Sequence, residues 1–512
     1  MATTEKKVYD YKPELVRDRL VEVFRKRKGE ATTADLVALT GLPKAQVEAE
    51  LKPVSDEYGA RLRVTESGEI LYSFPQGMKS RYRGLGPSLR RFWKAFKKGA
   101  AAAAVFLFKI WIVGMLVGYF VLFLALALLA MLASVAVSMS GKDDRSDRRG
   151  GGIGGLYLTG RLLDAFVRIW FYSELFKDPY QRSYERGLRA ERRREKKPLH
   201  RAIFSFVFGD GDPNADWESV EKKAVVAFLQ ANKGVVTMPE FMALTGLPPA
   251  EAESRINRYL LEFEGEPAVS PGGAIYYFFP GLLRRKDRAD RTYGGSLPMK
   301  RLAAFSANPK KANAWFCAIN GANTLFGGYF LGMSLAAQPL LPILYGGQYA
   351  DRVVLTRGFD FFYLFTHQLF GKVLGVGDPS ALLGLVLGAV PLAFSFFFYL
   401  VPVLRSRRLK AANERVKLEN LRRVAYGSVL AAPGGVRPES VPVADEAARP
   451  RDSRAAEKLL KELAAAAGGE PGADGSYAFP EIARGQAEAG RVRAAVREED
   501  YALGAAVFDS DS

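Results

Sequence analysis

The sequence predicts an α-helical membrane protein that carries two copies of a small α+β domain. The first observation behind this prediction is an internal duplication. Phe24–Pro75 and Leu229–Pro280 align without a gap, and about a third of the aligned positions are identical, which exceeds the chance level in so short a window. The second is a set of long uncharged stretches, of which Ile110–Met139 exceeds the roughly 20 residues that span a bilayer.

Each copy of the domain opens with three helical patterns. Apolar residues recur at helical spacing over 15–24 and 220–229, which predicts a first helix in both copies. Thr32 and Thr237 are each followed three residues later by an acid, a spacing typical of a capped helix start. Both copies then read Leu-Thr-Gly-Leu-Pro, the glycine-containing turn that joins two crossing helices. The third helix follows this turn and repeats the same apolar positions.

A β hairpin is predicted after the third helix of each copy. Alternating residues surround a turn at Gly68 and at Gly273, and both hairpins end in Tyr-x-Phe-Pro. Three helices closed by a hairpin resemble the winged-helix fold. The predicted fold class is therefore an α-helical membrane protein with tandem α+β winged-helix domains, over residues 13–83 and 217–287.

The charge of the third helices argues against the function that a winged helix most readily suggests. The net charge of +18 favours DNA binding, but a duplex repels an acidic surface. The acids on or just after these helices are Glu48, Glu50, Asp56 and Glu57 in the first copy, and Glu251, Glu253, Glu262, Glu264 and Glu266 in the second. Nucleic acid is therefore an unlikely partner, and we expect a protein partner whose identity the sequence does not give. The alternative is a membrane-tethered winged-helix transcription regulator that binds DNA through the wings or Arg25–Lys28.

The excess positive charge lies beside the apolar segments, in clusters that we call basic collars. They are Lys79, Arg81, Arg83, Arg90, Arg91, Lys94, Lys97 and Lys98 before the first segment, and Arg405, Arg407, Arg408 and Lys410 after the last. Such clusters hold a chain on the cytoplasmic side and attract anionic lipid head groups. We therefore expect membrane lipids as partners, the cell inner membrane as location, and soluble domains in the cytoplasm.

Three apolar regions, residues 100–140, 312–345 and 381–404, predict a multi-pass protein. Three plain crossings cannot leave every soluble part on one side. We therefore expect 100–140 to fold back as a hairpin, with re-entry of 153–176 as the alternative. No apolar run opens the chain, so no cleavable signal peptide is expected. Each region contains a Gly-x-x-x-Gly pair, which lets helices approach closely, and a homo-oligomer is a further hypothesis.

The remaining segments connect these parts. They are an interfacial amphipathic helix and basic linker over 153–201, an interfacial aromatic segment over 353–372, a basic helix over 405–425, a flexible linker over 433–453, and a tail over 454–512. Tyr-x-Phe-Pro recurs at Tyr477–Pro480, which suggests part of a third winged-helix copy in the tail. The last four residues, Asp-Ser-Asp-Ser, are expected to be a solvated end.

The most distinctive short run is FSFVFGDGDPN, residues 204–214. It resembles a segment of uncharacterised membrane proteins from cyanobacteria and plant chloroplasts, and the resemblance implies no activity. Asp210, Asp212 and Asn214 are spaced like the start of a calcium loop, but the later glycine and glutamate of that motif are missing. A turn is the favoured interpretation, with Asn214 or Asp216 capping the next helix.

The sequence predicts no catalytic, cofactor-binding or metal site, and hence no enzyme. Only two histidines, His200 and His367, and one cysteine, Cys317, are present, so no zinc site of the usual spacing can form. His367 lies among phenylalanines and is expected to be interfacial. The sequence therefore favours a membrane protein that displays tandem winged helices to the cytoplasm as a protein-interaction scaffold. A channel or transporter is disfavoured because few ionisable residues lie within the apolar regions.

Overall fold

The computed structural model describes residues 10–26, 29–81, 85–140, 198–286, 296–337, 359–442 and 453–510. The chain forms two compact units. Unit 1 comprises Met1–Trp93, Asp212–Ala303 and Lys410–Ser512, and unit 2 comprises Lys94–Gly211 and Ala304–Leu409. The described residues are mostly helical, with small antiparallel sheets.

The secondary structure is numbered along the chain. The helices are α1 Pro13–Lys26, α2 Thr33–Thr40, α3 Lys44–Tyr58, α4 Leu85–Val113, α5 Tyr119–Ser140, α6 Leu199–Phe208, α7 Trp217–Ala231, α8 Met238–Thr245, α9 Pro249–Phe263, α10 Lys310–Ala337, α11 Phe359–Leu374, α12 Ser380–Leu382, α13 Val390–Ala431, α14 Ser453–Ala467 and α15 Pro480–Ala495. The strands are β1 Arg61–Thr65, β2 Ile70–Ser73, β3 Val235–Val236, β4 Glu266–Val269, β5 Ile275–Phe278, β6 Glu470–Pro471, β7 Tyr477–Ala478 and β8 Ala506–Asp509. Two π-helical turns, Gly114–Gly118 and Leu383–Ala389, join α4 to α5 and α12 to α13.

Unit 1 contains two groups with the same order of elements, three helices and a hairpin. We call residues 13–75 module A and residues 217–280 module B. Thr32 and Thr237 each accept a hydrogen bond from the backbone of the acid three residues later, and that acid accepts from the threonine backbone, so the predicted capping boxes are confirmed. Gly41 and Gly246 end the second helices at φ +71° and +69°, the left-handed conformation that glycine adopts without strain.

Residues 410–442 and 453–482 repeat much of this order, and we call them module C. Helix α14 corresponds to the third helix of modules A and B, and it has 15 residues, as do α3 and α9. An antiparallel bridge joins Val436 to Tyr477, as one joins Ala31 to Tyr72 and Val236 to Tyr277 in modules A and B. The end of α13 takes the place of the first helix.

The predicted flexible linker over 433–453 is wrong for residues 433–442, which belong to module C. Residues 433–442 are ordered, because Phe479 N donates to Pro433 O at 2.7 Å and Val436 exchanges two backbone bonds of 2.9 Å with Tyr477. Val436 is also buried in the apolar core that the three modules share. Proline and glycine indicate a turn here, but only the partner strand, more than 30 residues later in the chain, makes it rigid. Residues 443–452 of the predicted linker lie outside the described residues.

Each Leu-Thr-Gly-Leu-Pro turn is covered by the first helix of the following module. Gly41 lies against α7, where an added Cβ would sit 3.0 Å from Ser219 O. Gly246 lies against α13, where it would sit 2.7 Å from Glu419 O and 2.9 Å from the Arg423 side chain. Glycine is therefore required at these turns for close approach as well as for backbone conformation.

Arg423 fills the contact between α13 and module B, and it is the largest fully buried side chain among the described residues. Its guanidinium donates to the carbonyls of Leu244 and Thr245 and to Asn420 Oδ1. It lies 4.8 Å from the Trp217 ring and 3.8 Å from Glu221 Oε2. A buried cation is tolerated only when its donors are satisfied and a counter-charge is near, and this site supplies both.

In unit 2, the predicted hairpin over 100–140 is wrong. Leu85–Ser140 is one continuous helix, in which α4 passes through the π turn into α5. The stretch 101–140 has no proline and no run of polar turn residues, so the helix ladder has no local reason to end. The extra residue of the π turn is accommodated at the two glycines that were predicted to be a packing pair.

Polar side chains bind both π turns of unit 2. Asn323 Nδ2 donates to Leu116 O at 2.8 Å, and the Tyr119 hydroxyl donates to Val386 O at 2.9 Å. Each bond satisfies a carbonyl within a stretch where the regular α-helical ladder is interrupted. Of the predicted glycine pairs, only Gly384 and Gly388 closely contact other described residues, namely Ser334 and Leu331 of α10.

The FSFVFGDGDPN run fixes the chain at the end of α6. Arg405 donates to the carbonyls of Phe206 and Val207 in the last turn of α6. Asp210 accepts from Ser205 Oγ and from Ala307 N, both at 2.7 Å. Asn214, in unit 1, exchanges two bonds with the Arg301 backbone. The predicted side-chain cap of α7 is therefore wrong, since Asn214 is bound to Arg301 and Asp216 makes no such bond.

The structure also differs from the predictions for the aromatic segment 353–372, for His367 and for the segments 381–404 and 405–425. The aromatic face of α11 is internal, with Phe362 and Tyr363 packed in a cluster with α5 and α10. His367 is buried rather than interfacial, 3.4 Å from Asp378 Oδ1 and from Ser380 Oγ. The predicted regions 381–404 and 405–425 form one helix, which continues to Ala431. Residues 141–197, which include most of the predicted segment 153–201, lie outside the described residues. So do residues 338–358, which include the end of 312–345 and the start of 353–372.

The substitution Gly246→Ala tests the close approach of α13. We expect it to lower the free energy of unfolding by about 3 kcal/mol, because a positive φ costs an alanine about 1 kcal/mol and the clash with Glu419 O adds overpacking. Gly475→Ala is the matched control, with φ +75° and open space within 4 Å, and should cost only the backbone term. Denaturant unfolding of the detergent-solubilised chain measures both. Equal losses would show that the contact is not tight.

Arg423→Met tests the buried cation. We expect a loss of about 3 kcal/mol, because Glu221 loses its counter-charge and the two carbonyls lose their donor inside the unit. Adding Glu221→Gln should recover part of this loss, since the uncompensated charge is then removed. Unfolding free energies of the two single variants and the double variant give the coupling. Additive losses would mean that Arg423 and Glu221 do not interact.

Candidate protein-interaction surface

The third helix of module A has an acidic exposed face and an internal acid. Glu48, Lys52 and Asp56 are exposed, whereas Glu50 is buried. Glu50 accepts from Arg17 Nε at 2.5 Å and from the Tyr11 hydroxyl at 2.9 Å. Burial and the neighbouring Glu50 carboxylate raise the pKa of Tyr11 to about 12, so this hydroxyl stays a donor at neutral pH. Arg17 is the cation that pairs with the internal acid.

The third helix of module B uses its cations in the same way. Glu262 is 1% exposed and pairs with Lys222 at 2.8 Å and Arg258 at 2.6 Å. Arg258 also reaches Glu218 at 2.9 Å. Burial opposes a charged Arg258, but these two carboxylates raise its pKa above the ordinary value. The acids that remain exposed are Glu251, Glu253, Glu264 and Glu266.

The third helices α3 and α9 contact each other inside unit 1. Lys44 Nζ lies 2.7 Å from Glu264 Oε2 and 3.6 Å from Glu48 Oε1. Although burial disfavours its charged form, these carboxylates raise the pKa of Lys44. A helix that reads a DNA groove must present its length and its cations to the duplex. Here the neighbouring module covers part of each helix, and Lys44 already has partners.

The hairpin of module A is also engaged. Its sheet has the order β2-β1-β8, so a strand from the tail pairs with the outer edge of β1. Arg61 and Arg63 both bind the Asp509 carboxylate, and Arg63 binds Glu30 at 2.7 Å as well. Arg61 and Arg63 therefore have partners within the protein. The expected solvated end at Asp509 is wrong: Asp509 carries these ion pairs, and Ser510 N donates to Leu62 O at 2.9 Å.

The segment after module B holds module A. Lys286 Nζ lies 3.0 Å from Glu30 Oε2, and Lys286 N donates to Asp35 Oδ2 at 3.0 Å. Thr32 donates to Arg284 O at 3.0 Å. Modules A and B are thus joined by ion pairs and backbone bonds as well as by a common apolar core. The exposed surface that remains at the third helices is predominantly acidic.

The two histidines and the cysteine all lie in unit 2. His367 lies beside Asp378 and Ser380, Cys317 packs against an apolar cluster that contains Phe316 and Phe398, and His200 contacts Phe106. Within the described ranges, no group of three His, Cys, Asp or Glu side chains is arranged to hold a metal ion. The glycine-rich stretch 150–155 and part of the basic collars lie outside those ranges. Sequence reasoning missed strand β8, although Ala506-Val-Phe-Asp has the alternation of a short strand.

The hydrogen bonds of Glu30 predict that the stability of the link between modules A and B depends on pH. Burial opposes its charge, but the hydrogen bonds from Arg63 and Lys286 hold the pKa of Glu30 below 4.5. A lowered carboxyl pKa contributes stability that is present above the unfolded pKa and is lost as the pH falls through the folded pKa. Glu30→Gln should therefore cost about 1 kcal/mol at neutral pH and progressively less below about pH 4.

Unfolding free energies at a series of pH values test this expectation. Glu251→Gln, which removes an exposed acid of module B, is the control and should leave the pH profile unchanged. A constant cost of Glu30→Gln at every pH would contradict the role of the ionised carboxylate.

The chain is similar to an uncharacterised chloroplastic protein of Arabidopsis thaliana. The two are 27% identical over 290 residues, and the match covers 55% of this chain and 52% of the relative. The chain therefore spans about half the length of the curated relative it matches. This similarity supports the plant chloroplast part of the resemblance drawn from the sequence. No family model matches the chain, and no solved structure matches it.

Proposed function

We propose that this chain is an integral membrane protein whose modules A and B are winged helices that bind protein partners. In this proposal the modules act as a scaffold on one side of the membrane, the cytoplasmic side, and the basic collars bind anionic lipid head groups. The proposal assigns no catalytic role. The observation that carries it is the engagement of the modules' cations inside unit 1, which leaves an acidic exposed surface.

Two helices support the membrane part of the proposal. Within the described ranges, Gly99–Ala133 and Ser380–Ala431 are long and apolar enough to cross a bilayer. Only 28% and 39% of their most apolar windows are buried within the protein, so the described residues leave much of their apolar surface uncovered. Lipid is the natural solvent for such a surface. Helix α10 is long, but Asn313, Asn320 and Asn323 make it more polar.

The shared core supports the arrangement on one side. Modules A, B and C contribute to one apolar cluster, and a bilayer cannot pass through a packed core. An even number of crossings therefore separates module A from module B, and module B from module C. Because the predicted hairpin is absent, Gly99–Ala133 supplies one of the crossings between modules A and B in this proposal. The alternative from the sequence, re-entry of 153–176, supplies the return, and that stretch lies outside the described residues.

The competing function is that of a membrane-tethered DNA-binding regulator. A regulator needs free cations on the third helix or the wing. In this chain Lys44, Arg61 and Arg63 pair with carboxylates of the same unit. The exposed acids of the third helices would then face phosphates, whose charge dominates affinity.

Titration of a labelled duplex with the full chain in detergent micelles separates the two functions. We expect no binding tighter than about 1 µM at physiological salt, the weak regime of non-specific contacts. The charge-reversed variant Glu251→Lys with Glu253→Lys should bind the duplex more tightly and lose co-purifying proteins. Submicromolar binding by the natural chain, weakening steeply as salt rises, would establish the regulator instead.

A further inference from the structure

The outer edge of β1 is occupied by a strand that comes from a distant part of the chain. Arg63 pairs with Asp509, Val64 with Phe508 and Thr65 with Ala506, in antiparallel register. Backbone bonds extend this pairing on both sides, from Glu66 N to Ala505 O at 2.9 Å and from Ser510 N to Leu62 O at 2.9 Å. The pairing is the geometry by which a sheet edge takes up an extended peptide.

The contacts of the Asp509 carboxylate indicate which side chain the β1 edge prefers. Arg61 donates through Nε and Nη2 to the two oxygens of Asp509, and Arg63 Nε lies 3.5 Å from the same group. Two-pronged arginine–carboxylate pairs add direction as well as energy to a contact. The edge therefore prefers an acid at the position of Asp509.

The corresponding edges of the other modules have different chemistry. In module B, Glu266 and Pro267 occupy the positions of Arg61 and Leu62. Proline has no N–H to offer a new strand, and glutamate would repel an acidic one. In module C, β6 is only two residues long and also ends in a proline, Pro471. The selectivity for an acidic strand is thus specific to module A.

The tail strand is held by its backbone and its acid, and only weakly by apolar burial. The side chains of Val507 and Phe508 are 65% and 58% exposed. Hydrophobic stabilisation scales with the apolar area that leaves water, so this strand gains little from it. Backbone bonds and one partly exposed ion pair contribute modestly in water. Release of the strand therefore costs little and restores an unpaired edge on β1.

We propose that the β1 edge of module A is a docking site for an extended acidic segment of a partner protein, and that tail strand β8 is its competing intramolecular occupant. The proposal rests on the proposed function, because it specifies how one module binds protein. The partner segment forms the same antiparallel ladder and places a carboxylate between Arg61 and Arg63. Residues of the partner take the positions that Val507 and Phe508 hold in β8.

The test uses the full chain in detergent, a variant shortened after Ala502, and a labelled peptide with the sequence of residues 503–510. We expect the peptide to bind the shortened chain about tenfold or more tightly than the full chain, because an attached strand competes at high effective concentration. The peptide with Asp509→Lys should bind at least about tenfold more weakly than the natural peptide. Equal binding of the natural peptide to both chains, or of both peptides to the shortened chain, would overturn the proposal.

A full-length pair of variants guards against misfolding of the shortened chain. Asp509→Arg should release β8 from the β1 edge and raise the affinity for the peptide. Adding Arg61→Asp should restore the ion pair and the binding of β8, and so lower that affinity again. Failure of the natural peptide to bind both the shortened chain and the Asp509→Arg chain would refute the docking site. A dimer of the full chain that the peptide dissociates would assign the edge to a second copy and overturn the partner model.

These outcomes are separable from the fate of the proposed function. Absence of peptide binding together with weak duplex binding removes only the docking site on β1. Tight, salt-sensitive duplex binding removes the scaffold function itself, whatever the peptide does.

Discussion

The arrangement of unit 1 depends on the burial of one cation, Arg423. A guanidinium without water must bond through its donors and lie near an opposite charge, or its desolvation outweighs its contacts. Leu244 and Thr245 offer carbonyls at the end of α8, and Glu221 offers the charge from α7. Meeting both demands at once fixes α13 against the turn of module B. The long helix that brings Arg423 there also supplies the first helix of module C, so the same contact positions the third module.

The same packing supports the proposal that the modules do not bind DNA, although the protein carries a strong positive charge. Each module covers the turn of the one before, which brings third helices and hairpins into contact with neighbouring acids. Lys44, Lys222 and Arg258 are then paired within the unit, and pairing inside a packed unit removes them from competition for phosphate. The charged residues that remain exposed on the third helices are mostly acidic. The cations that are not absorbed in this way are concentrated in the sequence beside the apolar helices, where a bilayer surface rather than a duplex is the nearest anionic partner.

Features encoded by neighbouring residues could be predicted from the sequence, whereas those that depend on distant partners could not. The capping boxes at Thr32 and Thr237 and the glycine turns follow from spacing within a few residues. The order of residues 433–442 depends on Tyr477, and the pairing of β8 depends on a strand more than 400 residues earlier. The hairpin expected over 100–140 came from counting charges on either side of a membrane. Charge sets which side a loop prefers, but it does not break a helix whose residues all favour continuation.

The three modules share their interiors and differ at their edges, and this difference bears on function. The bridge to the tyrosine of Tyr-x-Phe-Pro recurs in all three, at Tyr72, Tyr277 and Tyr477, because it closes the hairpin onto the helices. The outer strand of the hairpin does not make this bridge. There, module A carries arginines and module B a glutamate and a proline, while module C retains only two residues. A purely structural repeat has no reason to place different chemistry on equivalent outer strands. Different chemistry on equivalent outer strands supports the proposed scaffold, in which one packing scheme presents different surfaces to different partners.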